Sequence, residues 1–373
     1  MLSKLRIASR NNKFGNYLNV LQNRSLRTFH SENMMNAIVR SDLSGGDIEL
    51  KSVPIPEAGE NEVLIKVDSS PINPSDLGFL KGVYGDETTR VKPPSILGFE
   101  GSGTVVEVGK GVYDNFIGKQ VSFIGNCHSA DYHGCWADYT VKPVSNIIVL
   151  KEGISLEAGS MLRVNPITAM GFYHIVKQEN HKAVIHTAAS SACGKMFIKI
   201  MQEKKIKTIN IVRRSGSVAM LKEMGAEYTL DYTSDRFESD LRVLVNHLKQ
   251  TVCFDAVGGE LGGTILSDMP HHSILYSYGS LGGTELKMIS SNDLRFKSKK
   301  ISGFWIGPVM RSITPLQRKE YFDYIFHDLL KQHGFIFNTN VAARFPLHQW
   351  RAALEAYLNL ASEGKILLQP NKP

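Results

Sequence analysis

The residues best suited to chemistry gather where an apolar run gives way to small side chains. The stretch "KAVIHTAASSACGKMFIKI" (182–200) passes from a strand-like run through Ala, Ser and Thr into a helical pattern. Small residues at such a junction let the phosphates of a dinucleotide approach the backbone and the helix N-terminus. The usual G-x-G-x-x-G stands here as Ala189-x-Ser191-x-x-Gly194, with two glycines replaced. The placement strengthens the pattern, because the helix leads to a second strand, "KTINIVRR" (207–214), as a βαβ unit requires. That strand ends in Arg213-Arg214 where an NAD site would place an acidic residue for the ribose hydroxyls. Arginines there can pair with a 2′-phosphate, so NADPH is expected over NADH. "DAVGG" (255–259) and "YSYGSLGG" (276–283) end further buried runs in glycine-rich turns, adding Gly258, Tyr278 and Gly279 to the candidate cofactor set.

Other reactive side chains carry less. Cys127, Cys135, Cys193 and Cys253 form no C-x-x-C pair, which fits a reducing compartment and gives no disulfide framework. Cys127 and Cys135 flank His128 and His133, but zinc ligands usually pair more tightly, so ordinary thiols and no metal are expected. His186 reads as a satisfied strand-end histidine. "RFKSKK" (295–300) reads as a solvated basic face, with contact to coenzyme A phosphates or an acidic carrier protein as the alternative.

Two kinds of segment must position these residues. From Met35 to about Val149, short β-branched runs such as "EVLIKVDSSPI" and "GSGTVVEVG" are punctuated by Gly and Pro, the pattern of an all-β, barrel-like unit. From about Ser155, helix-length stretches alternate with buried strands, which implies a parallel α/β sheet with right-handed crossovers. "PLHQWRAALEAYLNLASEG" then reads as an amphipathic helix stopped by Gly364, followed by the strand "KILLQP". The expected division is a leader over 1–34, a catalytic domain over 35–160, a dinucleotide-binding domain over 161–338, and a return to the catalytic domain over 339–373.

The formal charge of +7 suggests nucleic acid until its location is considered. Residues 1–30 hold six basic side chains and no acidic one, so the remaining body is nearly neutral and no nucleic-acid partner is expected. That acid-free leader, with Leu2, Leu5, Ile7, Phe14, Tyr17, Leu18 and Leu21 available to one helical face, looks like a mitochondrial presequence. A basic arm binding a partner or anionic surface is the other reading. No run approaches the roughly 20 apolar residues of a membrane span.

Between Met35 and Pro370 the chain resembles the zinc-free medium-chain dehydrogenase/reductases, namely quinone oxidoreductases and mitochondrial 2-enoyl thioester reductases. The elements that carry the likeness are "INPSD" (72–76), "GVYG" (82–85), "LGFEGSGTVVEVG" (97–109), "VNPITA" (164–169), "HTAASSACG" (186–194), "LKEMGAEYTLDY" (221–232), "DAVGG" and "GFW" (303–305). The resemblance implies a GroES-like β-barrel catalytic domain joined to an α/β Rossmann domain. It also implies a homodimer joined through the Rossmann domains, in the matrix or on the matrix side of the inner membrane. Zinc-dependent relatives carry a ligand Cys where this chain has Asn73 and a ligand His where it has Phe99, so the catalytic zinc site is expected to be lost. Hydride addition to an electron-poor double bond remains feasible without a Lewis acid. Tyr84, eleven residues after Asn73, stands at the spacing of the catalytic tyrosine of enoyl thioester reductases. With Asn73 it forms the expected catalytic pair, and a phenol at its ordinary pKa of about 10 is protonated at neutral pH, as a general acid must be. By the same likeness Thr168 and Trp305 lie beside the nicotinamide. The expected function is NADPH-dependent reduction of a 2-enoyl thioester. The alternatives are a quinone or enone reductase, and an accessory subunit of a larger mitochondrial complex with little turnover of its own.

Overall fold

The computed structural model describes residues 33–42, 48–85, 91–125, 134–331 and 335–372. The leader up to residue 32, Cys127, His128 and His133 lie outside the described residues.

The first half of the chain is β-rich because its apolar residues recur at short spacing between turn formers. It supplies β1 (Met34–Arg40), β2 (Ile48–Pro54), β3 (Glu62–Pro71), β4 (Ser95–Ile96), β5 (Glu100–Val108), β6 (Gln120–Ile124), β7 (Tyr139–Pro143) and β8 (Ile147–Val149). β1 pairs with β2 and β4 in one small sheet, while β3, β5, β6 and β8 run antiparallel in a larger one, with β7 also on β3. Val63, Ile65 and Val67 of β3 point into a core with Phe79, Leu97, Phe123 and Trp136. Burying each such side chain contributes about 1.5–3 kcal/mol. A short helix, α1 (Pro74–Leu80), interrupts the strands. Asn73 caps it, Pro74 fixes the first helical φ, and the Asp76 carboxylate accepts the Asn73 backbone N–H at 2.8 Å. That cap is what carries Asn73 into the interior.

After α2 (Leu156–Ser160), helices alternate with parallel strands. In order come α3 (Asn165–Gln178), β9 (Ala183–His186), α4 (Ala192–Glu203), β10 (Lys207–Val212), α5 (Ser215–Glu223), β11 (Tyr228–Asp231), α6 (Phe237–Leu248), β12 (Val252–Asp255), α7 (Gly259–Asp268) and β13 (Ile274–Ser277). Then follow α8 (Ser291–Arg295), β14 (Lys300–Gly303), α9 (Ile306–Ser312) and α10 (Pro315–Leu329). The sheet order is β11-β10-β9-β12-β13-β14, every neighbouring pair parallel. Strand order reverses between β9 and β12, and ligands of such sheets bind at the carboxyl ends of the strands beside that switch. Phe172, Phe197 and Phe254 fill the layer between α3, α4 and the sheet, with Phe172 and Phe254 stacked at 4.4 Å.

The chain then returns through β15 (Val341–Pro346), α11 (Trp350–Leu360) and β16 (Lys365–Gln369), and β16 pairs antiparallel with β3. The carboxyl-terminal strand thus rejoins the larger sheet of the β-rich half. Among the described residues no helix is long and apolar enough to cross a membrane. The run "RFKSKK" is not a wholly solvated face. Lys299 is buried, paired with Asp293 at 3.0 Å and donating to the Leu266 and Ser267 carbonyls at the end of α7, and β14 begins at the next residue.

Candidate active site

The phosphate loop is the five-residue link, 187–191, between β9 and the helix α4 that it feeds. Ala188 turns the chain at φ +51°, and the Ala189 N–H is tied to the Ile211 carbonyl of β10 at 3.1 Å. Ser191 caps α4, its hydroxyl accepting the Gly194 N–H at 3.0 Å. A Cβ on Gly194 would stand 2.5 Å from the Ala189 carbonyl oxygen, so only glycine lets the helix pack this close to the loop. Ala189 is fully buried against Ile198 and Val212, so the first replaced glycine has become a packing residue.

The neighbouring turn is organised by a carboxylate that sequence reasoning passed over. Asp255 accepts the Thr187 hydroxyl at 2.7 Å, the Val257 N–H at 2.9 Å and the Gly258 N–H at 3.0 Å. Gly258 stands at φ +71°, and a Cβ on Gly279 would lie 2.7 Å from the Ala256 carbonyl oxygen. Both strand ends are therefore shaped by backbone that comes close because side chains are absent. Tyr278 packs edge-on against Phe172 at 4.7 Å, and burial pushes its phenol well above the ordinary value. These features fit an extended diphosphate laid across the strand ends, with Ser191, Gly194, Gly258 and Gly279 as the residues that would form its bed. Ala189, fully buried, was expected in that bed from the sequence but is packed beneath it instead. Arg213 and Arg214 follow β10 and are both exposed, with Arg214 at the N-cap of α5. An open cavity of about 640 Å³ lies beyond Val257 and Gly258, lined also by Tyr232, Glu238 and Lys287. It sits at the carboxyl ends of β11 and β12, and Tyr84 is not among its lining residues.

The β-rich half contributes a buried polar chain. Asn73 is fully buried; its Nδ2 donates to Glu100 Oε1 at 2.8 Å and its Oδ1 accepts from the Lys365 ammonium. Glu100 Oε2 accepts the backbone N–H groups of Arg163 at 3.0 Å and Val164 at 2.8 Å, just before α3. Asp76 Oδ1 accepts the Phe99 N–H at 3.0 Å while its Oδ2 holds Asn73. Burial raises the Asp76 carboxyl to about 7. Burial raises Glu100 as well, against the pull of Lys365 and of Asn73. Three donors and the Lys365 ammonium all favour the Glu100 carboxylate, whereas Asp76 has two backbone donors and the Glu100 charge against it. Burial lowers the Lys365 ammonium, with Glu100 and Asp76 opposing. Cys193, in the first turn of α4, is close enough to Lys365 for the ammonium to act on its thiol, which burial pushes up to about 12.

Tyr84 is half-buried and leans on Phe99, ring centroids 4.9 Å apart. Phe99 in turn is held by Asp76, so Tyr84 and Asn73 share one framework. Thr168 is half-buried in the first turns of α3, its N–H bonded to the Val164 carbonyl at 3.0 Å, one step from the Glu100 clamp. Asn73, Tyr84 and Thr168 are therefore linked through Phe99, Asp76, Glu100 and Val164, whereas Gly194 and Tyr278 are held within the parallel-sheet half and Arg213 and Arg214 follow the end of β10. Trp305 caps α9 two residues beyond β14, also at a carboxyl strand end. His186 is buried at the end of β9 and only half satisfied: Nε2 meets Asn210 Oδ1 at 2.7 Å, while Nδ1 has no partner among the described residues. Burial lowers it to about 4, so it is neutral at physiological pH.

Asp76, Glu100, Arg163, Asp255 and Lys365 were not singled out from sequence. Asp76 and Glu100 lie inside "INPSD" and "LGFEG". Lys365 heads the apolar strand "KILLQ", where a lone cation was the available signal.

Comparison with known proteins agrees with this architecture. Residues 59–152 match the alcohol dehydrogenase GroES-like domain. The mitochondrial enoyl-[acyl-carrier-protein] reductase of Arabidopsis thaliana is 26% identical over 343 residues, covering 90% of this chain and 87% of that protein. A solved structure from Mesorhizobium loti, assigned as an NADPH:quinone reductase, is 31% identical with a TM-score of 0.75, covering 92% of this chain and 100% of that one. The Candida tropicalis mitochondrial 2-enoyl thioester reductase heterodimer shares the fold, with a TM-score of 0.71 at 21% identity over 90% of this chain and 99% of that one. The chain belongs to the zinc-free medium-chain dehydrogenase/reductase family, with a GroES-like domain and a Rossmann domain.

Proposed function

We propose that this chain is an NADPH-dependent oxidoreductase that reduces the conjugated carbon–carbon double bond of a 2-enoyl thioester. The observation that carries the reading is the framework around Phe99. Where zinc-dependent relatives place a metal ligand, this chain puts an apolar ring that supports the Tyr84 phenol, and the neighbouring Asn73 amide is already bonded on both ends. Such a wall would present a hydroxyl to a carbonyl oxygen. When bound, the reduced nicotinamide supplies the hydride. Tyr84 would hydrogen-bond the thioester carbonyl and stabilise the negative charge that gathers there as the β-carbon is reduced. Thr168 and Tyr278 would border the nicotinamide, with Trp305 closing the cleft, and the exposed Arg213 and Arg214 would meet the 2′-phosphate. Enoyl-reductase relatives that cover most of the chain support the substrate class, and their mitochondrial designation supports a mitochondrial location for this chain. We place it there as a homodimer.

A second reading, reduction of a quinone or enone, is favoured by the Mesorhizobium relative, which is the more similar in sequence. Loss of NADPH absorbance with a short-chain trans-2-enoyl-CoA, against a simple quinone, separates the two. Faster turnover of the thioester that collapses in Tyr84→Phe supports the first. Turnover of the quinone alone, indifferent to Tyr84, would replace it with the second.

A further inference from the structure

The polar chain beneath the site crosses three separate parts of the sequence. Glu100 opens β5, Lys365 opens β16, and Asn73 caps α1, yet their side chains meet in one buried file. Glu100 then reaches out of the β-rich half to bind two consecutive N–H groups at the entry to α3, the helix that carries Thr168. The charges at its two ends set the orientation of the Asn73 amide. Its oxygen faces an ammonium and its NH2 faces a carboxylate, and a flip would set like against like at both ends. We infer that Glu100 and Lys365 are positioning residues for hydride transfer, fixing the Asn73 amide and the first turn of α3 so that Thr168 keeps its placement relative to Tyr84.

This inference rests on the reading of the site given above, and it concerns residues that need not touch the substrate. Glu100 offers acceptor oxygens to three donors at once. A glutamine retains one oxygen, so Glu100→Gln leaves an NH2 group facing either Asn73 or the α3 turn. The fold keeps its apolar cores on both sides, because none of their residues changes. Reaction geometry loosens instead, and a displacement of about 1 Å can lower turnover by around a hundredfold. Lys365→Met removes the ammonium that orients Asn73, whereas Lys365→Arg keeps the charge and the donor.

The test uses the full chain, with whichever acceptor, enoyl thioester or quinone, the wild type reduces. Glu100→Gln and Lys365→Met are expected to lower kcat about tenfold to a hundredfold while the NADPH dissociation constant, read by fluorescence titration, changes by less than about threefold. Lys365→Arg should recover most of kcat. A purely structural role would lower melting temperature while leaving kcat per folded site at the wild-type value, and that result overturns the inference. Hydrogen exchange supplies a readout independent of turnover. In Glu100→Gln the Arg163 and Val164 amides should exchange at least about tenfold faster, with β9 and β12 unchanged. Should the wild type reduce neither acceptor, the functional reading fails by itself. Unchanged exchange at Arg163 and Val164 would still refute the clamp.

Discussion

Gly194→Ala tests the cofactor cradle at its tightest point. An added Cβ would stand 2.5 Å from the Ala189 carbonyl oxygen and 2.8 Å from the Ala188 carbonyl oxygen, where ordinary contact begins near 3.4 Å. Both obstacles are backbone, and the Ala189 N–H is pinned to Ile211, so the loop cannot simply retreat. Restoring contact requires a relative shift of about 0.9 Å between loop and helix, the shortfall between those distances. Overpacking of this kind costs about 1–3 kcal/mol in stability. Moving N–H groups off a charged phosphate forfeits bonds worth about 1.5–3 kcal/mol, which is roughly tenfold to a hundredfold in affinity. Gly216→Ala is the control, because a Cβ there meets nothing within 4 Å and the residue lies in the first turn of α5. It should leave stability unchanged or raise it by up to about 1 kcal/mol. Urea unfolding and fluorescence titration with NADPH on both variants give the comparison. A folded Gly194→Ala protein that binds NADPH within twofold of wild type would refute the placement of the diphosphate on this loop.

Further outcomes follow from the same contacts. Asp76 keeps its proton in the folded chain up to about pH 7, against an ordinary value of 3.8, so its stabilising protonation is complete below the ordinary value and lost as pH rises toward 7, a swing of roughly 4 kcal/mol. His186, lowered to about 4, works in the opposite sense between its folded value and the ordinary 6.5, so the measurement is the difference between wild type and Asp76→Asn in urea unfolding at about pH 5 and pH 8. Identical pH slopes would exclude Asp76 as the source. Replacing Arg213 and Arg214 together by alanine should raise the NADPH KM by about tenfold or more and leave NADH untouched, and an equal loss for both nucleotides would remove the 2′-phosphate assignment. Phe254→Ala empties a fully buried site stacked against Phe172 and Tyr276 and should cost about 3–5 kcal/mol in chemical denaturation. A loss below about 1 kcal/mol would mean that the aromatic layer is looser than described.

The sequence was most legible where period and punctuation agree. Strands β3, β5, β6 and β9 to β13 match runs whose apolar residues and flanking turns identify them without tertiary context. β2 gave little signal because "IELKSVP" is mostly exposed or half-buried, and β4 has only two residues. β14 was hidden by the charge of "RFKSKK". Burying Lys299 depends on Asp293 and on two carbonyls more than thirty residues away, partners that no local pattern reveals. Lys365 was obscure for the same reason, since an ammonium in a strand buried along its whole length makes sense only beside Asn73, Glu100 and Asp76. Candidate cofactor positions could be read from glycines and strand ends. The carboxylates that hold those turns, Asp255 above all, could not, because an acidic residue at a strand end looks the same whether it binds ligand or backbone.

The altered phosphate loop bears most directly on whether the chain is a working enzyme or an accessory subunit. Two lost glycines suggest decay when read as letters. In three dimensions each replacement has a role: Ala189 fills a packed cluster beneath the loop, and the Ser191 hydroxyl caps the helix whose N-terminus must stay open to an anion. The position that tolerates no side chain, Gly194, is still glycine. Decay would have begun at the positions where substitution is easiest and function is least protected, and the close approaches at Gly194 and Gly279 would have relaxed with it. Instead the strictest steric requirements are kept, together with a charged clamp whose buried carboxylate and ammonium cost desolvation free energy. Gly194 is needed for packing whether or not a ligand binds, so the weight falls on the clamp. A scaffold could replace a buried ion pair with apolar side chains without losing stability, and its retention favours a site built to hold a dinucleotide and bring an acceptor to it.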